Sequence, residues 1–244
     1  MGALKQLQNT YAFEVSILIP AYNEEATILF IINSITRTAF NKSYEIIVVD
    51  GGSTDRTAQL IENYKQTHPE INLSYIFQEN QGKGGAIHTA IKHSQGEILI
   101  VQDADMEYTP SDYPQLLKPF EENGALVVYG SRNLNNENRE HSSQLFYWGG
   151  ILVTKVTNLL FRSSLTDEAT GYKLFHSSLF SQFNFRHKDF AWEPEITAKI
   201  LKNDIKIHET PISYHPRTKA EGKKISWKDG VKAIWVLFQE YFNK

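Results

Sequence analysis

Short apolar runs recur along the first half of the chain, each too short for a helix. They cover 15–20 (VSILIP, stopped by Pro20), 44–50 (YEIIVVD), 72–78 (NLSYIFQ), 97–102 (EILIVQ) and 126–130 (LVVYG). Runs of this length, closed by turn residues, fit buried strands. The stretches between them open like helices. Residues 23–27 (NEEAT) place acids in a first turn, where the helix dipole favours negative charge. Further helices are expected over about 54–66 and 86–93, each after a glycine-containing turn. This alternation from 15 to about 132 predicts an α/β fold with a mainly parallel central sheet flanked by helices.

The pattern changes after Arg132. Residues 133–143 are polar and read as a mobile loop. Residues 145–161 are apolar but interrupted by Gly149, Gly150, Thr154, Lys155, Thr157 and Asn158, too broken for a membrane span of roughly 20 apolar residues. A turn into a short strand is expected over 166–175, a helix over 192–202 and a last strand over 205–214. A basic cluster follows: Arg217, Lys219, Lys223, Lys224 and Lys228. The chain then ends in a helix capped by Ser226 with Asp229 three residues on, and its apolar residues keep 3–4 spacing from Trp227 to Phe242. Both 145–161 and this amphipathic helix could lie in a membrane interface, or pack on the sheet or on another copy.

With 244 residues and 41% hydrophobic content, the chain can bury a full core as one domain over 1–244. A formal net charge of -3 makes no case for nucleic acid as a partner. The absence of cysteine excludes disulfides, thiolate metal sites and a cysteine nucleophile. Residues 1–13 lack the apolar core of a signal peptide, and the cytoplasm is the default expectation, with peripheral contact at a membrane face.

Candidate chemistry concentrates where the fourth apolar run ends, at Asp103, Asp105 and Glu107. Ligands of open α/β sheets sit at the carboxyl ends of the strands. If the strand persisted, alternate residues would share a face and the three acids would converge. They then either seat a divalent cation such as Mg2+ or Mn2+, which suits hard oxygen ligands, or form an acidic solvated turn. Other common sites are missing: no GxxxxGK[ST], no GxGxxG after the first strand, no HExxH and no GxSxG.

Six segments occur in one order: IPAYNEE, VVDGGSTDRT, NQGKGGA, QDADMEY, YGSRN and EGKKI. Together they resemble glycosyltransferase family 2, the inverting enzymes with the GT-A fold, and most closely its polyprenyl-phosphate branch, which includes dolichyl-phosphate mannose synthase. The resemblance implies a metal-dependent transferase that moves a hexose from a GDP- or UDP-linked nucleotide sugar to a lipid phosphate, or otherwise to a saccharide or polyol hydroxyl. It places the nucleotide-sugar half at 15–132 and the acceptor-side half at 133–244.

The resemblance also assigns roles. Pro20, Tyr22 and Glu24 match the motif around base and ribose, and Val49 and Asp50 match a second nucleotide motif. A carboxylate usual after Asp50 is here Gly51. Asp103, Ala104 and Asp105 match the metal and diphosphate motif, with Glu107 a further metal candidate. Arg132 matches a phosphate-binding arginine. Arg217 with Lys223 or Lys224 matches a C-terminal phosphate clamp, in which Asp105 and Arg217 would carry the chemistry by stabilising the departing diphosphate. A hydroxyl acceptor would need a general base, for which Asp167, Glu193 and Glu195 are candidates; an ionised lipid phosphate would need none. A catalytically silent nucleotide-sugar-binding protein is the alternative from another class.

Overall fold

A computed structural model describes residues 11–135, 144–217 and 226–243. Lys223 and Lys224 lie outside the described residues, as does most of the expected loop over 133–143. Strands β1 (Phe13–Ala21), β2 (Tyr44–Asp50) and β3 (Leu73–Phe77) alternate with helices α1 (Ile28–Arg37), α2 (Thr57–Thr67) and α3 (Lys83–His93). Then come β4 (Gly96–Val101), α4 (Tyr113–Asn123), β5 (Val127–Ser131), α5 (Gln144–Phe161), β6 (Lys173–His176), α6 (Trp192–Lys202), β7 (Ile207–Pro211) and α7 (Trp227–Phe242).

The strands form one seven-stranded sheet in the order β3-β2-β1-β4-β6-β5-β7. Every pairing is parallel except the two made by β6, which runs antiparallel between β4 and β5. The apolar runs are unbroken because both faces are covered. Ile17, Ile19, Ile46, Val48, Ile98 and Ile100 pack on one face, toward Ile28, Ile31 and Ile32 of α1 and Leu116 and Leu117 of α4. Leu18, Ile47, Val49 and Leu99 pack on the other, toward Ala86 and Ala90 of α3. Val101, Val127, Tyr129 and Phe175 on that side meet Trp192, Ile196 and Ile200 of α6. Helices α5 and α7 lie outside α6, joined to it through Val153, Ala198 and Leu237.

The chain winds outward from β1 to β2 and β3, then returns to place β4 on the other side of β1. That reversal opens a crevice at the carboxyl ends of β1 and β4, the position where such sheets bind ligands.

Two helices differ from expectation. α4 has no counterpart in the sequence reading, where Pro114 and Pro119 disguise it. Pro114 sits in its first turn, where proline is tolerated. Gly124 ends it in the left-handed region, at φ 59°. α5 is continuous despite Gly149 and Gly150. Among the described residues, no helix is long and apolar enough to cross a membrane.

Candidate active site

Strand β4 stops at Val101, and the acids beyond it follow a turn in which Met106 takes a φ of 63°. The extended conformation that would put alternate residues on one face therefore ends before the acids. Buried Gln102 anchors the turn: its amide donates to the Asp103 carbonyl at 2.9 Å and accepts from the hydroxyls of Tyr113 at 3.0 Å and Tyr172 at 2.9 Å. Each acid then finds its own partner. Asp103 accepts from Lys83 Nζ at 2.8 Å, Asp105 from Arg217 Nη2 at 2.7 Å, and Glu107 from the Arg217 backbone N–H at 2.9 Å. Among the described residues, no three His, Asp or Glu side chains come together as a ligand cluster.

Lys83 is the site residue that the sequence reading left without a role. Its Nζ also donates to Glu193 at 2.7 Å, so one cation joins the α3 terminus, the β4 turn and α6. Glycines make this possible. A Cβ at Gly84 would sit 2.7 Å from the Trp192 Cβ and 2.9 Å from the Asp189 carbonyl, so α3 approaches α6 only without one. A Cβ at Gly171 would fall 2.6 Å from Asp103 Oδ2 and 3.3 Å from Lys83 Nζ. The one signal in the sequence was a lone lysine among glycines at a helix start.

One cation among several acids leaves them unequally neutralised. Burial, with Asp105 and Glu193 nearby, pushes the Asp103 carboxyl up to about 6 against the pull of Lys83. Burial and the neighbouring Glu107 also raise Asp105, which Arg217 partly offsets. Burial works to raise Glu193 as well, but Lys83 and Lys173 outweigh it and hold it below the usual carboxylate range. Lys83 itself is held charged, its burial more than offset by Asp103 and Glu193.

These groups line a cavity of about 400 Å3 at the sheet reversal. Pro20, Tyr22, Glu24, Gly51, Asn80 and Ala104 share its wall, and Arg132 and Tyr214 stand at the far end. Its wall carries five carboxylates (Glu24, Asp103, Asp105, Glu107, Glu193) against three cations (Lys83, Arg132, Arg217). A diphosphate adds further negative charge, so this donor set fits an oxygen-liganded divalent ion.

A second cavity of about 350 Å3 runs between α5 and α7 and meets the first at Arg132, Ala169, Phe190, Glu193 and Tyr214. Its wall is mostly apolar, with Phe146, Leu152, Val153, Ala233 and Ile234, and also carries Glu168 and Asp229. Gly149 and Gly230 also line it, and a Cβ on either would meet nothing within 4 Å.

The residues matched by family models run from 16 to 183, under the description "Glycosyl transferase family 2". The chain belongs to glycosyltransferase family 2. It is 26% identical over 231 residues to the glycosyltransferase AglJ of Haloferax volcanii, covering 94% of this chain and 71% of that protein. It is 27% identical over 248 residues to the dolichyl-phosphate beta-glucosyltransferase of Saccharomyces cerevisiae, covering 91% of this chain and 72% of that one. An undecaprenyl-phosphate 4-deoxy-4-formamido-L-arabinose transferase of Edwardsiella ictaluri is 25% identical over 213 residues, 86% of this chain and 62% of its own length. Among solved structures, the glucosyl-3-phosphoglycerate synthase of Mycobacterium tuberculosis with Mn2+, UDP and phosphoglyceric acid superposes with a TM-score of 0.71. At 20% identity, over 95% of this chain and 79% of that one, the likeness shows the GT-A fold.

Within this glycosyltransferase the remaining candidates separate clearly. Val49 is buried toward α3 and does not line the cavity. Asp50 is buried too. It accepts from Ser53 N–H at 2.9 Å, Ser53 Oγ at 2.6 Å and the Tyr75 hydroxyl at 3.0 Å, so it shapes the turn that presents Gly51. Arg132 is gripped by Asp167 through Nε and Nη2, both at 2.7 Å, and stands 5.2 Å over the Tyr214 ring. Glu195 is the candidate the structure removes: fully buried, it accepts from the backbone N–H groups of Arg186 and His187 at 2.9 Å, away from both cavities.

Proposed function

We propose that this enzyme transfers a hexose from a UDP- or GDP-linked sugar to a polyprenyl phosphate, with inversion at the anomeric carbon. The observation that carries the reading is the apolar groove between α5 and α7, which opens into the polar cavity at Arg132. A polyprenyl phosphate has this composition: an apolar tail for the groove and an anionic head for the junction. The relatives named for dolichyl and undecaprenyl phosphate agree with it, and UDP in solved GT-A neighbours favours the uridine donor.

The donor binds with its nucleoside against Pro20, Tyr22 and Gly51, and its diphosphate toward Asp103, Asp105 and Arg217. An acceptor phosphate oxygen attacks the anomeric carbon while the bond from that carbon to the diphosphate oxygen breaks. The electron pair leaves with the nucleoside diphosphate. Mg2+ or Mn2+, held through Asp105, would stabilise the charge on that leaving group. Arg217 adds a guanidinium to the same oxygens, and the family resemblance implies a clamp lysine, Lys223 or Lys224. Arg132, oriented by Asp167, receives the acceptor phosphate.

The candidate bases support an acceptor that is already ionised. A general base works best with its pKa near the working pH, yet Glu193 is held low by Lys83, Asp167 is ion-paired with Arg132, and Glu195 lies elsewhere. On this reading the half from 133 onward is the acceptor side. The outer faces of α5 and α7 expose Trp148, Leu159, Trp235 and Phe242, surface suited to a membrane interface, at its cytoplasmic face.

The test is transfer of labelled sugar from UDP-glucose, UDP-galactose and GDP-mannose, with Mn2+, to undecaprenyl phosphate in detergent and to soluble saccharides. Chloroform-soluble product in at least one donor arm is expected. Product only with saccharides would overturn the lipid reading.

A further inference from the structure

We infer that Glu168 is an acceptor-binding residue: from the wall of the groove between α5 and α7, its carboxyl donates a hydrogen bond to the anionic head of the lipid phosphate. The inference rests on the acceptor reading above and adds a residue that lies outside all six sequence motifs.

The backbone fixes where Glu168 stands. Its N–H donates to Thr154 Oγ1 of α5 at 3.0 Å, and its carbonyl accepts from Lys173 Nζ of β6 at 2.8 Å. On one side of it Asp167 grips Arg132, and on the other Ala169 lines the junction of the two cavities. Glu168 lines the groove but not the donor cavity, so it belongs to the head end of the acceptor side.

The side chain is left unmatched. Glu168 is 1% exposed, and its Oε1 is buried with no hydrogen-bond partner among the described residues. The obvious counter-ion is spent elsewhere. Lys173 is fully buried, donates to the carbonyls of Glu168 and Thr170, and lies 4.5 Å from the centre of the Tyr129 ring. The Thr197 hydroxyl of α6 donates to the Glu193 carbonyl at 2.9 Å, which uses its single hydrogen. Asp167 and Glu193 carry the same charge as an ionised Glu168, and Arg132 is committed to Asp167. Along the groove, α7 contributes Asp229, bound to Ser226 at its own helix start, and α5 contributes the Tyr147 phenol.

An unpaired charge in such a place is costly, so a carboxyl there keeps its proton instead. Burial raises Glu168 above the usual carboxylate range, against Lys173 and the Thr197 hydroxyl, and Glu193 and Asp167 add to the rise. A protonated carboxyl has an O–H to give, and a phosphate oxygen is a strong acceptor for it. The head group needs such a donor. Asp167 offsets the charge of Arg132 and takes up its Nε and Nη2, so the guanidinium alone is a partial match for a phosphate. An ionised carboxylate beside it would repel the head, whereas a neutral acid adds a contact without repulsion.

The test is the KM for undecaprenyl phosphate in detergent, with Mn2+ and the nucleotide sugar that supports transfer, in the full chain and two variants. Glu168→Met fills the same space without a polar group, and its acceptor KM should rise about tenfold or more, the scale of a hydrogen bond to a charged group. Its donor KM should stay within about twofold, since the residue lies outside the donor cavity. Its Tm should not fall, because a buried group without a partner stabilises nothing. Glu168→Gln keeps an N–H donor and should stay within about threefold of the wild-type acceptor KM. A wild-type acceptor KM in Glu168→Met, or a Gln variant as impaired as the Met variant, would overturn the inference while leaving the acceptor reading intact. If Glu168→Met does not fold, the infrared difference spectrum between wild type and Glu168→Gln decides. The C=O band of a protonated carboxyl should appear in the wild type and move when geranyl phosphate is added; no such band, or an unmoved one, would overturn the inference. A wild type that transfers sugar to no lipid phosphate would overturn both.

Discussion

Replacing Lys83 by Met would remove the cation that two buried carboxylates share while keeping most of the side-chain volume. Lys83 Nζ lies 2.8 Å from Asp103 and 2.7 Å from Glu193, with all three side chains less than a fifth exposed. Removing one partner of a buried ion pair costs about 3–5 kcal/mol, because the charge left behind is unpaired. In a domain of this size each kcal/mol lowers Tm by about 2–4 °C, so a loss of about 6–20 °C is expected near neutral pH. The loss must also depend on pH. Asp103 already stands at about 6 with Lys83 in place, above its ordinary value of 3.8; without the lysine it rises further, and Glu193 loses the main charge that holds it low. A carboxyl with a raised pKa binds a proton in the folded chain that the unfolded chain has released. Its contribution is therefore most favourable at low pH and is lost as pH rises through the folded value. The Tm gap between wild type and Lys83→Met should be narrow at pH 5 and wide at pH 8 in thermal melts followed by circular dichroism. An equal gap at both pH values, or none at pH 8, would refute the shared-cation account.

Three other outcomes test neighbouring parts of the structure. Gly171→Ala puts a methyl 2.6 Å from Asp103 Oδ2 and should cost about 1–3 kcal/mol. UDP binding by calorimetry should weaken with it, and unchanged Tm and affinity would show that the carboxylate has room. Glu193→Gln should keep transfer to a polyprenyl phosphate within about tenfold, whereas general-base loss would be about 10²- to 10⁴-fold, so a fall that large with donor binding intact would point to a hydroxyl acceptor. Trp148→Glu combined with Trp235→Glu removes two side chains, 59% and 63% exposed, from the outer faces of α5 and α7. Affinity for anionic liposomes, read by sedimentation, should drop about a hundredfold or more, since burying two such side chains is worth about 3–6 kcal/mol, and undiminished pelleting would place any membrane contact elsewhere.

The sheet was legible in the sequence because its strands are buried on both faces. Residues 44–50 match β2 at both ends, and the other four apolar runs of the first half match within two residues. Helix starts were less legible. α1 begins at Ile28, after a turn that Glu24 and Glu25 form with Thr57, Asp55 and Arg56 of the next loop. Those contacts bridge about thirty positions, so no local rule would reveal them. α4 was hidden by its prolines, one harmless in the first turn and the other, Pro119, inside the helix.

At the site, periodicity and distance explain what was missed. Glu193 and Glu195 both look like first-turn acids of α6, but residues two apart on a helix point about 200° away from each other. One faces the cavities beside Lys83; the other is enclosed by the chain at Arg186 and His187. Asp103 and Asp105 pose the same problem after a strand. Alternation placed them on one face, but β4 ends two residues earlier, and their partners come from Lys83, 20 positions before, and Arg217, 112 positions after. The acids could be read locally, whereas their cations arrive through tertiary contacts. Each acid therefore needs a cation from a distant element before its charge can be enclosed, Asp103 from Lys83 and Asp105 from Arg217, with 13% and 15% of those side chains exposed.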